Sequence, residues 1–286
     1  MKRLLRVVGI AFAGLVVLAV AAYAVVYVVS ERVLQHAYAV PAVTLAIPTD
    51  AESIQEGRRL ATVRGCVNGC HGKDGGGAVM FDQPLIAHLV APNLTTLSRR
   101  YSDAQIAAII RHGLRPNGRS VVVMPAEAYG VMNDADLGRT IAFLKTLPAA
   151  DGPETGSVLG PLGRRGIVLG KYTTSAQTIA DTVPPPEAAD AEAATGRYLA
   201  RSICAACHGT NLRGDSNPDF TSPALRIVLA YSPEAFAALM RSGTGLGGRQ
   251  LKTMGVWAKQ HLSQLNDAEI AALYRYLHGP EAGAGG

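Results

Sequence analysis

The sequence is poor in charged residues, in aromatic residues and in cysteine. Charged residues make up 17% of the 286 positions, too few for a largely disordered or coiled-coil chain. Aromatic residues make up 6%, so a large apolar core must use aliphatic side chains or something that the sequence does not encode. Four cysteines are too few for a disulfide scaffold and leave metal, redox or covalent cofactor chemistry open. The length is about twice that of a typical domain, so we expect two domains.

The apolar excess lies mostly at the amino terminus. The run Val7–Val29 contains no charged residue and follows three basic residues. As a helix it would be about 35 Å long, enough to cross a hydrocarbon core of about 30 Å. We therefore expect residues 1–30 to form a single-pass anchor in a bacterial inner membrane, with the remaining chain in the periplasm. The alternative is a cleaved signal peptide, with cleavage near residues 22–24 or 37–39.

The positive net charge does not point to a nucleic-acid partner. The three amino-terminal basic residues supply three of the five net positive charges. Basic residues beside a membrane span set its orientation, so this part of the charge is a topology signal. No cluster of lysine and arginine with interleaved aromatic residues follows, and we expect no nucleic-acid binding.

The cysteines form two clusters, and the second has the spacing of covalent haem attachment. Cys204 and Cys207 enclose two residues and are followed directly by His208. Two thiols one helical turn apart can each form a thioether with a haem vinyl group, and the adjacent histidine can lie under the iron. A thioredoxin-like dithiol or half of a zinc site has the same cysteine spacing and is the alternative.

The first cluster contains one residue more. Cys66 and Cys70 enclose three residues and precede His71. Positions i and i+4 of a helix share a face, as i and i+3 do, and Gly69 supplies backbone freedom for the extra residue. The pattern alone is a weaker signal, so its interpretation depends on the residues around it.

The residues that follow the two clusters repeat each other. Thirteen positions separate an arginine from a methionine in both copies, ending at Met124 and at Met254. A Tyr-Ser pair opens a short apolar helix before each arginine, and a polar helix start follows each methionine. This density of matches indicates an internal duplication covering about residues 52–148 and 188–279.

Each repeat resembles a class I c-type cytochrome domain, with an opening helix, a cysteine–histidine segment, a middle helix, a methionine loop and a closing helix. The resemblance implies an all-α fold in which two tandem cytochrome c domains follow an amino-terminal transmembrane helix. It also implies two covalently bound haem c groups. The boundaries that we expect are the anchor at 1–30, the first domain at 48–148, a linker at 149–187 and the second domain at 188–280.

The resemblance also implies specific contacts within each repeat. The opening and closing helices should cross at a glycine, where a side chain would hold them apart. A proline carbonyl between the haem motif and the middle helix should accept the Nδ1 proton of the histidine. The helix pairs are Gly57 with Phe143 and Gly196 with Tyr276, and the histidine pairs are His71 with Pro92 and His208 with Pro223.

An electron-carrying haem needs a sixth ligand, and methionine in that place raises the potential relative to histidine. Met124 and Met254 follow glycine-rich loops at equivalent positions and are the ligands that we expect, with Met132 as the substitute in the first repeat. Met80 lies too close to its histidine in sequence, and Met240 should be a core residue. The predicted iron ligands are His71, Met124, His208 and Met254, and the predicted attachment residues are Cys66, Cys70, Cys204 and Cys207.

The remaining candidates have weaker support. His112 as a distal ligand would give a bis-histidine haem, and it has no counterpart in the second repeat. Surface or loop positions are expected for His36, His88, His261 and His278. Candidates for contacts with haem propionates are Arg119, Arg249 and Trp257. The linker should be an extended connector that lies over the domains, stiff at Pro184–Pro186.

The expected function is single-electron transfer between respiratory or dehydrogenase partners in the membrane or periplasm, without a catalysed reaction of its own. A di-haem peroxidase is the enzymatic alternative. It requires an iron with an open or displaceable position, whereas both repeats supply a methionine. A further alternative is a fixed cytochrome subunit of a periplasmic dehydrogenase or oxidase complex.

Overall fold

The computed structural model describes residues 1–153, 156–182, 190–216 and 221–279, and these are mostly helical. The α-helices in this part of the chain are α1 (Lys2–Leu34), α2 (Ala51–Val63), α3 (Leu94–Arg100), α4 (Asp103–His112), α5 (Ala126–Tyr129), α6 (Asp134–Thr146), α7 (Pro161–Val168), α8 (Ser175–Asp181), α9 (Ala191–Leu199), α10 (Ala205–His208), α11 (Pro233–Ser242), α12 (Thr253–Gln260) and α13 (Asp267–His278). A π-helical turn is formed by Ala200–Cys204, and 3-10 turns by Leu225–Ala230, Leu246–Gly248 and Leu262–Gln264. The strands are β1 (Ala78–Gln83), β2 (Ala87–Ala91), β3 (Val158–Leu159), β4 (Asp215–Ser216) and β5 (Thr221–Ser222).

Helix α1 contains the apolar run predicted from the sequence. Its 33 residues have a mean hydropathy of 2.5 over the best 18-residue window, and none of that window is buried. Within the described part of the chain it is the one helix long and apolar enough to cross a membrane. A membrane span and a signal sequence both have these properties.

The predicted helix crossings are confirmed in both repeats. Helix α2 packs on α6 and α9 packs on α13. A Cβ atom at Gly57 would lie 1.9 Å from the backbone oxygen of Arg139 and 3.1 Å from Cβ of Phe143. A Cβ atom at Gly196 would lie 2.1 Å from the oxygen of Ala272. Each pair of helices therefore meets at a position that only glycine can occupy.

Matching helix ends confirm the duplicated framework. Ser102 and Ser232 each accept a backbone hydrogen bond at the start of α4 and α11. Both helices end at a glycine with a left-handed backbone, Gly113 at φ 64° and Gly243 at φ 70°. The closing helices α6 and α13 are capped in the same way, each by an asparagine. The two repeats therefore share local hydrogen bonds as well as spacing.

The linker differs from the extended connector that the sequence suggested. Strand β3 pairs with β2, which itself pairs with β1, to give a three-stranded antiparallel sheet. Helix α7 then starts with proline at its first position, and a capping box of Thr174 with Gln177 starts α8. Both are ordinary helix starts, so the prediction of an extended chain is wrong for these stretches. The predicted stiff segment Pro184–Pro186 lies outside the described residues.

Candidate haem-binding site

The first cysteine motif forms a compact turn directly after α2. Cys66 N–H donates to the oxygen of Ala61, and Cys70 N–H donates to that of Gly65, both at 2.9 Å. The extra residue is accommodated by Asn68, which adopts a left-handed backbone with φ 58°. This conformation tightens the turn, so a motif with three intervening residues still brings the two thiols close enough to interact electrostatically.

The histidines of both motifs are oriented as predicted. Nδ1 of His71 lies 2.7 Å from the carbonyl oxygen of Pro92, and Nδ1 of His208 lies 2.8 Å from that of Pro223. Because a carbonyl can only accept, each Nδ1 carries the proton and each Nε2 holds its lone pair ready for a metal. Burial lowers the pKa of both imidazoles, which keeps them neutral.

The thiols do not have the properties of a redox dithiol or a zinc site. Burial raises the pKa of Cys66 and of Cys204 to about 12. A redox-active cysteine needs a lowered pKa, because the thiolate is the attacking form. Across the described residues, no group of three or more His, Cys, Asp and Glu side chains could hold a metal ion. The redox dithiol and the zinc site, the two alternatives to haem attachment, therefore lose support.

The methionines occupy different environments. Met124 lies in the loop before α5 and Met254 in the first turn of α12, and both are half-buried against the main core. The backbone oxygen of Met124 accepts a hydrogen bond from Ser175 Oγ of α8 at 2.6 Å. Met132 and Met240 are each 3% exposed, so Met240 is a core residue as predicted.

The two cysteine motifs lie close together, on either side of α5. This helix packs against both the π-helical turn and α10 of the second motif. Its last residue, Tyr129, donates a hydrogen bond of 2.8 Å to the backbone oxygen of Arg64, two residues before the first motif. Burial raises the pKa of Tyr129 well above its ordinary value, and the thiols of Cys66, Cys70 and Cys207 add to the effect. Tyr129 therefore lies between the motifs.

Arg64 is a buried cation at the same interface. It is 3% exposed, and its Nη2 contacts Tyr198 Oη and Ser202 Oγ of the second repeat, both at 3.1 Å. Tyr198 Oη in turn donates to the carboxylate of Asp136. No carboxylate in the described residues forms a salt bridge with Arg64, and its Nε has no partner. Nothing in the local sequence revealed this residue, because its partners come from the other repeat.

The position of His261 differs from the prediction. A surface position was expected, but the side chain is fully buried. Its Nδ1 donates to the backbone oxygen of Thr62 at 2.7 Å, across the interface between the repeats. Its ring packs on Trp257 with 4.0 Å between centroids, and a Cβ at Gly69 would lie 3.1 Å from its Cε1. The turn of the first motif therefore rests on side chains of the second repeat.

Comparison with known protein families identifies both repeats. Residues 193–279 match the family model described as Cytochrome c, and residues 52–144 match the model described as Cytochrome C oxidase, cbb3-type, subunit III. The chain has two cytochrome c-type domains. We call residues 52–144 the first cytochrome domain and residues 193–279 the second.

Two curated relatives are similar over most of the chain. Each is named as the cytochrome c subunit of a quinone alcohol dehydrogenase, one from Gluconacetobacter polyoxogenes and one from Komagataeibacter europaeus. Each is 28% identical over 275 residues, which cover 82% of this chain and 57% of the relative. The chain thus spans just over half the length of the curated relatives that it matches.

Cytochrome c-type domains imply covalently bound haem c, and the residues at both motifs suit that group. Each motif offers two half-buried cysteines and a histidine whose Nε2 is ready to ligate. The described residues contain four buried side-chain polar atoms without a partner, and three of these lie on Arg64, Glu127 and His261, around the motifs. The Arg64 Nε–H is a donor without an acceptor, which suits the carboxylate of a haem propionate. Of the three predicted propionate contacts, Arg119 and Arg249 are exposed, and Trp257 is half-buried against His261.

Proposed function

We propose that this chain is a membrane-anchored di-haem c-type cytochrome that transfers single electrons between partners in the membrane or periplasm. The proposal rests mainly on one observation: two cysteine–histidine motifs, each with its histidine held by a proline carbonyl, lie on either side of Tyr129. The proposed boundaries are the anchor at 1–30, the first domain at 48–148, the linker at 149–187 and the second domain at 188–280.

Each domain would hold its haem through side chains of its own. Cys66 and Cys70 in the first domain, and Cys204 and Cys207 in the second, would form the thioethers. The iron ligands would be His71 with Met124, and His208 with Met254. A haem held in this way supplies reversible one-electron chemistry at the iron. The protein's part is to fix the imidazoles through Pro92 and Pro223, to exclude water and to set the potential through nearby charge.

The positions of Met124 and Met254 favour a carrier over a di-haem peroxidase. A peroxidase needs one iron with an open position, whereas both domains have a half-buried methionine at an equivalent place. In the first domain, Ser175 holds the backbone of that methionine by a hydrogen bond. This hydrogen bond from the linker favours retention of the methionine ligand in the first domain.

We further propose that a dehydrogenase in the membrane or periplasm donates electrons to this protein. The support is the similarity to cytochrome c subunits of quinone alcohol dehydrogenases, combined with an apolar helix that can place the domains at a membrane surface. A fixed subunit and a mobile carrier perform the same chemistry. They differ in whether the donor stays bound.

The haem content tests the proposal directly. The full chain, purified in detergent, should give two c-type haems per polypeptide in the pyridine haemochrome assay, and its intact mass should include both. Replacing Cys204 and Cys207 by alanine should leave one haem, and replacing Cys66 and Cys70 should leave the other. A wild-type protein with one haem, or with two titratable thiols after denaturation, would contradict it.

A second experiment separates the carrier from its alternatives. Solubilised membranes should yield the protein together with a dehydrogenase whose substrate reduces both haems. Multiple turnovers of hydrogen peroxide by the reduced protein alone would instead support a peroxidase. Retention of the dehydrogenase through gel filtration would identify a fixed subunit, and its loss would identify a mobile carrier.

A further inference from the structure

The linker packs on the end of helix α1 that lies nearest the cytochrome domains. Arg164 of α7 forms a salt bridge of 2.8 Å with Glu31 and donates to Ser30 Oγ at 3.0 Å. Its guanidinium also lies 4.1 Å from the ring centroid of Tyr27. Positions 27, 30 and 31 share one face of α1, so Arg164 fixes α7 along that face.

These contacts define the depth of α7 relative to a bilayer. The charge-free run ends at Val29, and Glu31 is the first charged residue after it. Tyr23 and Tyr27 lie in the last two turns of that run, where aromatic residues of a span meet the headgroups. A helix attached to Tyr27 and Glu31 therefore lies at the headgroup level of the membrane that α1 would cross.

Large apolar side chains are exposed at this level. On α7, Gly163 and Ile167 face the protein, while Leu162 is 51% exposed and Leu169, just beyond the helix, is 53% exposed. Leu162 N–H donates to the backbone oxygen of Leu85 at 2.8 Å, and Leu85 is 64% exposed. Val158 of β3, three residues before α7, is 63% exposed.

We call Leu85, Val158, Leu162 and Leu169 the collar. Arg165 and Lys171 are exposed on the same segment. A combination of apolar side chains with flanking basic residues is typical of surfaces that lie in the boundary between headgroups and acyl chains.

We propose that the collar inserts into the headgroup region of the membrane that α1 crosses, as a second lipid contact that holds the first cytochrome domain at the bilayer. The inference rests on the proposed membrane anchor. The support is continuity with α1, because α7, which carries part of the collar, packs beside Tyr27 and Glu31 of α1. In water these side chains would stay hydrated, whereas at this depth their exposure becomes favourable burial in lipid.

Site-directed spin labelling of the full chain in lipid nanodiscs tests this proposal. Nitroxide labels are attached at Leu162→Cys and Leu169→Cys, with Ile227→Cys as the matched control. Ile227 is similarly exposed, at 49%, and lies in the second domain. The unsubstituted protein, whose four cysteines would be thioethers in the proposed di-haem cytochrome, measures background labelling. Collision rates with oxygen, which concentrates in lipid, and with a water-soluble nickel chelate are then compared.

Both collar labels should collide more with oxygen and less with the chelate than the label at Ile227 does. Chelate accessibility equal to that at Ile227 would overturn the collar while leaving the anchor intact. Collar labels that the chelate reaches in nanodiscs but not in native membranes would indicate that the collar binds another protein. That result would also overturn the lipid contact. An intact mass that lacks residues 1–30 would overturn the anchor and the collar together.

Discussion

Arg64 places a positive charge beside both cysteine motifs, and no carboxylate of the described residues lies within salt-bridge distance of it. Its neighbours Tyr198 and Ser202 are neutral, and Nε has no partner among the described residues. A ferric haem carries one more positive charge than a ferrous haem, so a nearby cation favours the reduced state. In an interior of low dielectric constant this effect is larger than at the surface.

We predict that Arg64→Gln lowers the reduction potentials of both haems, whereas Arg64→Lys preserves much of the charge effect. The measurement is a redox titration followed by the absorption of each haem. The control is Arg58→Gln, six residues earlier in α2, where the side chain is exposed. Unchanged potentials in a folded Arg64→Gln protein would contradict the role.

His261 joins the two domains through a buried hydrogen bond. We predict that His261→Ala destabilises the protein by about 2–4 kcal/mol, because it leaves a cavity beside Trp257 and removes a buried hydrogen bond to the Thr62 carbonyl. Urea unfolding followed by haem absorption measures the loss. His278→Ala is the control, because among the described residues the hydrogen bond of that half-buried ring goes to Tyr274 in its own helix. Equal stability of the two variants would contradict this prediction.

The protonation of His261 adds a pH dependence with a definite sign. Burial lowers its pKa below the ordinary value of 6.5. The unfolded chain therefore binds this proton more readily, and stability falls as the pH drops below about 6.5. His261→Gln should lose that part of the acid sensitivity, which unfolding curves between pH 5 and 7, with steps of about half a unit, would show.

Local sequence patterns located the residues that belong to short motifs. The cysteines, His71 and His208 belong to short motifs, and the proline carbonyls that hold both histidines are where the resemblance placed them. Arg64 and His261 could not be predicted in the same way. Their partners lie more than one hundred positions away, and no spacing rule links such residues.

At the scale of helices, the glycine crossings fix how each domain closes. A Cβ at Gly57 would lie 1.9 Å from a backbone oxygen, which cannot move aside as a flexible side chain can. We predict that Gly57→Ala destabilises the first domain by about 3 kcal/mol. Gly156→Ala is the matched control, since nothing lies within 4 Å of its Cβ position. Thermal unfolding of both variants measures the difference in stability. A Gly57→Ala variant as stable as the unsubstituted protein would contradict the helix crossing.

Helix α8 covers the methionine loop of the first domain. Ser175 Oγ donates to Met124, and Ser120 Oγ accepts from the backbone of Ala176. We predict that Ser175→Ala costs about 1 kcal/mol and weakens methionine ligation at the first haem alone. The absorption band of methionine-ligated ferric haem, followed during a urea titration, measures the loss of methionine ligation. Ser242→Ala, which removes a bond within α11, should leave the band unchanged. Equal behaviour of the two variants would mean that the linker does not hold the loop.

Helix α8 also shows why the linker was the element predicted least well. Its start is a Thr-x-x-Gln capping box, a local signal that short length and surrounding Gly, Pro and Thr residues concealed. The longer helices α4, α6, α11 and α13 begin and end where repeat matching placed them, because two copies of one pattern reinforce each other.

For the molecule as a whole, duplication predicted two similar domains but could not predict how they pack. The interface between the two domains uses positions at which the two repeats carry different residues. Arg64 and Ser202 each stand two residues before a first cysteine, and they contact each other. On the opposite side, Arg59 binds Glu56 in its own helix and Glu269 in the second domain. These contacts bring both cysteine motifs to one interface.

If each motif binds a haem, as we propose, the two haems on either side of Tyr129 should not titrate independently. Reducing one haem removes a positive charge beside the other, so the second electron enters at lower potential than the first. We predict that the wild-type titration is broader than the sum of two isolated haems. In the variant with Cys204 and Cys207 replaced by alanine, the remaining haem should follow a one-electron curve, and the reciprocal variant lacking Cys66 and Cys70 should do the same. Wild-type data that equal the sum of the two single-haem curves would show that the haems do not interact electrostatically. That result would contradict our inference that the two haems lie close together.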